Sequence, residues 1–325
     1  MKNLLYLFLI GVLFSCGGSG EDELNPEEPD VNGEPKEYIV SLGMTGEIEI
    51  SESPLLGRAS SDDLYGIQVY SKTSTTNYVP YAYGLFDDKS KMTINLLEGY
   101  QYEFVATMVV NGKNRIDHIG DKYGRPFSIN GYQEITNSFC IDTKNDMDGI
   151  HSGYANDFGR PNVERFYGTL YDYTPTENGA VTINMKRISF GAKFIAEGLT
   201  EGRLKINIQD APELNINYGQ KEVQDIFTFK SHITNDYKII WTEDNFYEDV
   251  NLSVLWEKND GAIIPLINQD IKFKRNILST ITIKVKDSSV NNGVEINQEG
   301  GDLIAGDNIT LESETGVENP VEPNI

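Results

Sequence analysis

The chain has 325 residues, a net charge of −23 and a composition that favours β-strands, with 18 Tyr and 14 Phe. This length is enough for about two domains, and the negative balance excludes nucleic acid as a partner, since nucleic-acid binding needs a basic face. Most of the charge lies at the ends: residues 17–37 contain eight acids and one lysine, and residues 287–325 contain nine acids and no base. Charged ends of this kind are usually solvated tethers.

The first sixteen residues have the pattern of an export signal. Lys2 precedes an apolar run over residues 4–14, which is too short to span a bilayer, because a spanning helix needs about 20 apolar residues. Cys16 follows this run in a pattern that resembles the lipobox of bacterial lipoproteins, where the cysteine becomes the acylated N terminus. We predict a signal peptide over residues 1–15 and lipidation at Cys16, which would anchor the chain to a membrane without crossing it. The alternative is an ordinary secretory signal with a chance cysteine.

Residues 16–37 combine glycine and proline with acids, and they contain too few apolar residues to build a core. We predict an acidic disordered linker there. Its first acids, Glu21-Asp22-Glu23, are similar to the acidic export tag of surface-displayed lipoproteins, although a plain solvated linker explains them equally well. The chain contains two cysteines, so acylation of Cys16 leaves Cys140 alone and no disulfide within the chain.

From Tyr38 onward the sequence changes to short runs of alternating apolar residues, which is the signal of half-buried antiparallel strands. In the first half of the chain these runs cover residues 38–50, 64–70, 92–96 and 100–108. We predict that the last two runs form a hairpin across Glu98-Gly99. Residues 111–178 show weaker alternation and read as long loops with one or two short strands, and loops of this length are often functional.

The second half resumes strand-like patterns and shows no sustained helical periodicity. Its apolar runs cover residues 181–185, 188–194, 204–208, 250–256, 271–273 and 281–285. The frame slips at Lys186-Arg187, which indicates a bulge. We predict an all-β fold of two antiparallel β-sandwich (transthyretin-like) domains in tandem after a disordered linker, over residues 38–178 and 179–290. Residues 291–325 form an acidic tail.

Motifs for catalysis or cofactor binding are lacking in the sequence. His118, His151 and His232 lie far apart and have no metal-ligand spacing. Nucleophile and phosphate-binding motifs do not occur either, so we predict no enzyme activity, no catalytic residue, no cofactor and no metal centre. Cys140 lies in an apolar, strand-like context, which favours an inert core thiol over a nucleophile.

A cation site is the one metal hypothesis that the sequence leaves open. Residues 144–149 resemble part of a calcium loop, but Lys144 and Ala155 would stand where acidic ligands are needed. A weaker, irregular site formed by Asp142, Asp146 and Asp148 remains, and a solvated turn is the simpler interpretation.

Aromatic residues offer a second binding hypothesis. We place Tyr81, Tyr83, Tyr154 and Tyr171 in loops, where they could form an exposed platform that stacks on sugar rings. Roles in the core and on the sheet surface explain the abundance of tyrosine without any ligand.

Three segments carry a resemblance to a known family. Residues 63–70, 184–194 and 273–283 are similar to strands of the fimbrillin-like (Mfa-like) family of surface lipoproteins from anaerobic Gram-negative bacteria. The similarity extends over about residues 38–290. The resemblance implies a surface-exposed lipoprotein of the outer membrane that acts as a fimbrial (pilus) subunit or adhesin. Its implied partners are other fimbrial subunits or further copies of itself, the membrane through the lipid anchor, and host glycans or proteins.

The resemblance also implies a mechanism of assembly. In such pilins a trypsin-like protease cuts after the first strand, and a strand from the C-terminal region of another subunit fills the vacated groove. In this chain the cut would fall between Arg58 and Ala59, although a basic residue in an exposed turn is also an ordinary turn residue. The donor segment would use apolar residues of the acidic tail, namely Val294, Ile296, Leu303, Ile309 and Leu311. The alternative is a monomeric lipid-anchored glycan-binding surface protein that is never cut.

Overall fold

This computed structural model describes residues 35–47, 62–151, 158–230 and 242–285, together with the backbone of residues 294–297. The chain divides into two compact units, Met1–Pro35 and Lys36–Ile325. The fold described below is that of the second unit. Within the described residues, no helix is both long enough and apolar enough to cross a membrane.

Strands dominate the described residues, accompanied by a 3-10 turn (Lys89–Lys91) and one short helix, α1 (Gly112–Arg115). The strands are β1 (Glu37–Gly46), β2 (Leu64–Lys72), β3 (Val79–Phe86), β4 (Thr93–Leu97), β5 (Gln101–Val109), β6 (His118–Ile119), β7 (Lys122–Tyr123), β8 (Gln133–Glu134), β9 (Cys140–Ile141), β10 (Arg165–Tyr173), β11 (Gly179–Arg187), β12 (Ser189–Glu197), β13 (Arg203–Ile208), β14 (Leu214–Asn217), β15 (Glu222–Thr228), β16 (Tyr247–Glu257), β17 (Ile263–Lys274), β18 (Leu278–Lys284) and β19 (Val294–Asn297). The predicted all-β class is confirmed.

The first body is an eight-stranded sheet that bends over its own core. Its strand order is β4-β1-β11-β10-β5-β2-β3-β9. Val40 of β1 and Ile67 of β2 lie four strand positions apart, yet they pack in the same hydrophobic cluster. Neighbouring strands are about 4.8 Å apart, so a flat sheet would separate these two side chains by almost 20 Å. The sheet therefore curves until its two halves face each other.

The opposite face of this sheet is covered by the long segment between β5 and β10. Tyr123, Phe127 and Ile150 of that segment pack against Val105 and Tyr167 of the sheet. A fully buried arginine, Arg165, donates from Nη2 to the carbonyl oxygens of Gly149 (3.1 Å) and Ile150 (3.0 Å), and its burial lowers its pKa. The described residues between β5 and β10 are thus a packed layer over a sheet face, whereas the rest of the predicted loop region, residues 111–178, contains the nine-residue strand β10.

The second body is a sandwich of two four-stranded sheets, with strand orders β15-β12-β18-β19 and β14-β13-β16-β17. Alternate residues of β12, β13 and β16 point into one core, as the period-two pattern predicts. Phe190 stacks on Phe273 in this core, with ring centroids 4.5 Å apart.

The strand over residues 179–187 belongs to the first sheet. β11 pairs in parallel with β1, from Val40↔Gly179 to Gly46↔Met185, and it also pairs with β10. The chain therefore passes from the first sheet to the second body at Ile188, directly after Lys186-Arg187, where the sequence predicts a bulge, instead of near residue 178.

The predicted hairpin between residues 92–96 and 100–108 is wrong. β4 pairs with β1, while β5 pairs with β2 and β10, so the two runs lie in different halves of the curved sheet. β4 buries alternate residues as expected, whereas every residue of β5 after Gln101 is buried, because its two faces pack in two different hydrophobic clusters. Alternation of apolar residues reports which side chains face a core. It does not report which strand is the neighbour, and a tight turn at Gly99 is compatible with both arrangements.

The buried tyrosines should make the fold less stable at high pH. Burial is the largest cause that raises the pKa of Tyr70, Tyr102 and Tyr167 above its usual value, and it raises the pKa of Tyr83 to about 12. An unfolded tyrosine ionises near pH 10. The stability that the protein gains from keeping these tyrosines neutral is therefore fully present below about pH 10, and it is lost as the pH rises further.

We expect tyrosinate absorbance to show one group of residues ionising near pH 10 and a second group ionising only with unfolding, at about pH 12 or above. Tyr102→Phe should remove one residue from the second group only. Ionisation of all tyrosines near pH 10 in a chain that stays folded would contradict this expectation.

Candidate functional site

β1 is an interior strand formed by the first described residues of the chain. It is hydrogen-bonded on one side to β4, in antiparallel register, and on the other to β11, in parallel register. Tyr38, Val40 and Leu42 alternate with exposed residues and are at most 5% exposed. Because β1 completes the core between two other strands, its removal would open two sheet edges and one hydrophobic core.

β1 ends in a glycine that turns the chain toward the second body. Gly46 has a backbone φ of +90°, a conformation that residues other than glycine rarely adopt. A Cβ at this position would lie 2.1 Å from Oδ1 of Asn184 and 2.9 Å from the carbonyl oxygen of Met185. The next residue, Glu47, still donates its backbone N–H to the Met185 carbonyl at 3.0 Å, so its position relative to β11 is fixed.

The side chain of Glu47 enters a corner between the end of β11 and the β17–β18 turn. Arg275 donates from Nη1 to Oε2 of Glu47 (2.6 Å) and from Nη2 to Oε1 (3.1 Å), which is a bidentate ion pair. The backbone N–H of Arg187 donates to the same Oε2 at 2.7 Å. The Arg275 side chain is 3% exposed and that of Glu47 is 16% exposed, so the pair is largely shielded from water.

The remaining donors of Arg275 are also satisfied. Nε donates to the carbonyl oxygen of Glu243 (2.9 Å), Nη1 donates to that of Arg187 (3.0 Å), and Nη2 donates to Oδ1 of Asp244 (3.2 Å). Asp244 is a surface group, 78% exposed, and its pKa is lowered first by Lys186 and then by Arg275. Glu47 is therefore the shielded carboxylate partner of Arg275, and Asp244 is a solvated one.

A second buried ion pair lies next to the first. Arg187 Nη2 is 2.8 Å from Oε1 of Glu164, and both side chains are 6% exposed. Arg187 Nη1 donates to Oδ1 of Asn276 at 2.5 Å, and its guanidinium lies over the ring of Phe166. We define Glu47, Glu164, Arg187, Arg275 and Asn276 as the junction cluster. It joins the end of β1, the start of β10 and the β17–β18 turn, and its chemistry is that of carboxylate recognition.

Most residues of the predicted maturation sites lie outside the described residues. These are Cys16, Arg58, Ala59, Leu303, Ile309 and Leu311. The expected cut between Arg58 and Ala59 falls in the stretch that links two described positions, Glu47 and Asp62. A cut there would separate β1, and everything before it, from the rest of the chain.

Two predicted donor residues lie in a strand of this chain's own sandwich. Val294 and Ile296 belong to β19, which pairs antiparallel with β18 through Ile283↔Val294 and Ile281↔Ile296. β19 is at the edge of its sheet as far as the described strands show. Donating this strand to another subunit would first require the loss of its pairing with β18.

The hypothetical cation site is not assembled. Asp142 accepts hydrogen bonds from the backbone of Lys144 and Asn145, and Asp148 pairs with Arg125 Nε at 2.8 Å. A search of the described residues finds no group of three or more His, Cys, Asp or Glu side chains that could hold a metal ion.

The described histidines and the lone thiol lie in ordinary structural settings. His151 lies within hydrogen-bond distance of the hydroxyls of Tyr70 and Tyr167, and His118 is exposed; His232 is outside the described residues. The prediction of a core thiol is wrong, because Cys140 is exposed. It lies on the two-residue strand β9, where the preceding Phe139 packs inward against Phe86, so the alternation turns Cys140 outward.

The proposed tyrosine platform is also divided. A bulge in β3 places Pro80 opposite Tyr70 and Ala82 opposite Val69, which leaves Tyr81 as the extra residue. Tyr81 consequently packs against the core that the curved sheet encloses, and Tyr83 packs against the cluster on the opposite face of the sheet. Without the bulge, two residues at this spacing would lie on the same face. Tyr171 is 42% exposed, and Tyr154 is outside the described residues.

Sequence reasoning missed the junction cluster, although a signal for it was present. Arg187 and Arg275 interrupt two apolar runs, and arginine inside a buried run is seldom found without a partner. The partner could not be identified, because Glu47 lies 228 residues from Arg275 and was one acid among many.

Comparisons with known proteins give structural matches only. Scans against protein families and curated proteins find no match. Among solved structures, the chain is similar to the fimbrial anchor protein Mfa2 from Porphyromonas gingivalis, with 10% identity and a TM-score of 0.37 over 81% of this chain and 96% of that one.

It is also similar to the tip fimbrial protein Mfa3 from the same organism, with 9% identity and a TM-score of 0.35 over 81% of this chain and 100% of that one. A fimbrial assembly protein from Parabacteroides distasonis matches with 11% identity and a TM-score of 0.34, over 81% and 96% of the two chains.

Proposed function

We propose that this protein is a non-enzymatic subunit or adhesin of a surface fimbria, assembled by strand exchange after proteolysis removes β1. The proposal rests on the position of β1 in the first sheet, between β4 and β11. β1 is an interior strand with buried alternate residues, and its only continuation into the rest of the fold is the stretch between Glu47 and Asp62. Cleavage of one short stretch would therefore convert a closed sheet into an acceptor for an extended strand.

The same cut would change where the protein is held. Cys16 lies before β1, so a lipid on Cys16 would leave together with the β1 fragment once that fragment dissociates. We propose that the uncut chain is anchored at the outer-membrane surface through Cys16 and that the cut chain passes to a fimbrium. The two β bodies would then be tandem transthyretin-like sandwiches, and the partners would be other fimbrial subunits or further copies of this chain.

The donor would be the C-terminal segment of another subunit, in which Val294, Ile296, Leu303, Ile309 and Leu311 supply the apolar side chains. Among the described strands, β19 pairs with β18 alone, and this supports this part of the proposal, because a strand with one neighbour is released more easily than a strand with two. Val294 and Ile296 would leave β18 and enter the acceptor groove of the next subunit.

Limited trypsin treatment of the purified full-length chain tests the proposal. We expect a new N terminus at Ala59, loss of the β1 fragment, and an SDS-resistant ladder of oligomers, because an inserted strand is held by two ladders and a core. Arg58→Gln is the matched control, since it removes the cleavage point and leaves every described contact intact. That variant should remain monomeric under the same treatment.

A chain that stays monomeric after complete cleavage at Arg58 would refute strand exchange. It would favour the alternative, a monomeric glycan-binding lipoprotein. One feature that would serve that role is a cavity of about 320 Å³ lined by Asp117, Arg125, Tyr132 and Asp148, in which a partly exposed ring lies among charged groups.

A further inference from the structure

The corner occupied by Glu47 remains behind when β1 departs. Two N–H groups of Arg275 and the backbone N–H of Arg187 would lose their acceptor together. With Glu47 in place, the Arg275 side chain is 3% exposed; the carboxylate that it would keep, Asp244, is 78% exposed at 3.2 Å. Loss of the shielded carboxylate is unfavourable, because the guanidinium then keeps only a solvated partner.

We infer that the junction cluster is a carboxylate-recognition site, and that the strand replacing β1 carries a carboxylate in the register of Glu47. This inference rests on the strand exchange proposed above and specifies the chemistry of the partner strand. The partner has apolar side chains at the positions of Val40 and Leu42 and an acid five residues after the second of them.

The ion pair would also fix the register of the incoming strand. Alternate burial alone is satisfied again after a slip of two residues, because side chains return to the same face. Such a slip would move the carboxylate by about 7 Å along the strand, out of reach of Arg275. A strand with the same alternation as β1 but without the acid would lose the ion pair, and its register would no longer be fixed.

Charge near the corner favours an acidic strand over a neutral or basic one. Lys186 Nζ lies 3.8 Å from Oε1 of Glu47, and Arg187 lies directly beside it. The acids that face the same corner are already engaged, Glu164 with Arg187 and Asp244 with Lys186. Without Glu47, the three cations Lys186, Arg187 and Arg275 would face two acids, so one further negative group is needed to balance the charge.

Peptide exchange into the full-length protein, cut at Arg58, tests the inference without any change to the fold. Fluorescent peptides of residues 36–58 are added in native form, with Glu47→Gln, and with Glu37→Gln, and binding is followed by anisotropy just below the urea transition. Glu37→Gln is the matched control: it removes the same charge from the same peptide, at an exposed site where Glu37 only accepts from Asn95 Nδ2 at 3.2 Å.

We expect the Glu47→Gln peptide to bind at least tenfold more weakly than the native peptide, and the Glu37→Gln peptide to bind within about threefold of it, as for a surface contact. Equal binding of all three peptides would overturn the inference and leave strand exchange standing. Failure of all three to bind, with the original fragment retained, would refute strand exchange itself and the inference with it.

Discussion

Replacing Glu47 with glutamine is expected to lower the free energy of unfolding of the full-length chain by about 3 kcal/mol, the scale seen when one partner of a buried ion pair is removed. Glutamine keeps the size of the side chain but loses the charge that Arg275 meets at 2.6 and 3.1 Å. The penalty falls on Arg275, which stays charged and shielded beside a neutral group. Urea unfolding measures the effect as a lower midpoint at an unchanged slope.

Glu37→Gln is the control for the charge change in the intact chain. Glu37 lies at the other end of β1 on the solvated surface, so its loss should alter stability by less than about 0.5 kcal/mol. Equal effects of the two substitutions would show that the net charge of β1 matters and that the contact with Arg275 does not.

A double-mutant cycle separates the pair from its surroundings. Arg275→Gln alone should also be strongly destabilising, because it leaves Glu47 shielded and removes five hydrogen bonds. The double variant with Glu47→Gln should lose less than the two single effects combined, since no unpaired charge remains. Simple additivity would contradict a direct pairing between these residues.

Local patterns in the sequence predict individual strands well and their neighbours poorly. The alternation at Tyr38, Val40 and Leu42 correctly indicates a half-buried strand, because burial alternates with the pleat whatever the neighbouring strand is. The pairing of β1 with β11 in parallel could not be predicted, because parallel partners are remote in sequence and carry no turn signal.

The layer that covers one face of the first sheet is a second feature that the sequence pattern does not predict. The described residues between β5 and β10 lack alternation because they form a layer of turns, one short helix and two-residue strands. Their apolar members, Tyr123, Phe127 and Ile150, are spaced by the path of the chain across the sheet instead of by a helix or strand period. A pattern search therefore reads a packed layer as loops.

The candidate site lies at the limit of sequence reasoning. The resemblance to the fimbrillin-like family leads to the proposal that the first strand is removed, but it does not indicate how that strand is held. Glu47, Arg187 and Arg275 come together only when the first sheet and the second sandwich are in place, so no local window contains the cluster.

Gly46→Ala is expected to lower the free energy of unfolding by about 2–3 kcal/mol, whereas Gly43→Ala in the same strand is expected to be neutral or slightly stabilising. At Gly46 the backbone has φ +90°, and an added Cβ would collide with Asn184 and with the Met185 carbonyl. At Gly43 the nearest atoms to an added Cβ are 3.6 and 3.7 Å away, which is ordinary contact. Urea unfolding of the two variants measures the difference, and equal effects would contradict a requirement for glycine at Gly46.

The combination of Gly46→Ala with Glu47→Gln shows how the glycine acts. If Gly46 serves mainly to turn the chain so that Glu47 reaches Arg275, its replacement already weakens that ion pair, and the double variant should lose clearly less than the two single effects combined. If the two effects add, the strain at Gly46 is local and independent of the junction cluster. In the first case a strand that replaces β1 needs the turn as well as the acid, so glycine followed by a carboxylate becomes the signature of an effective partner.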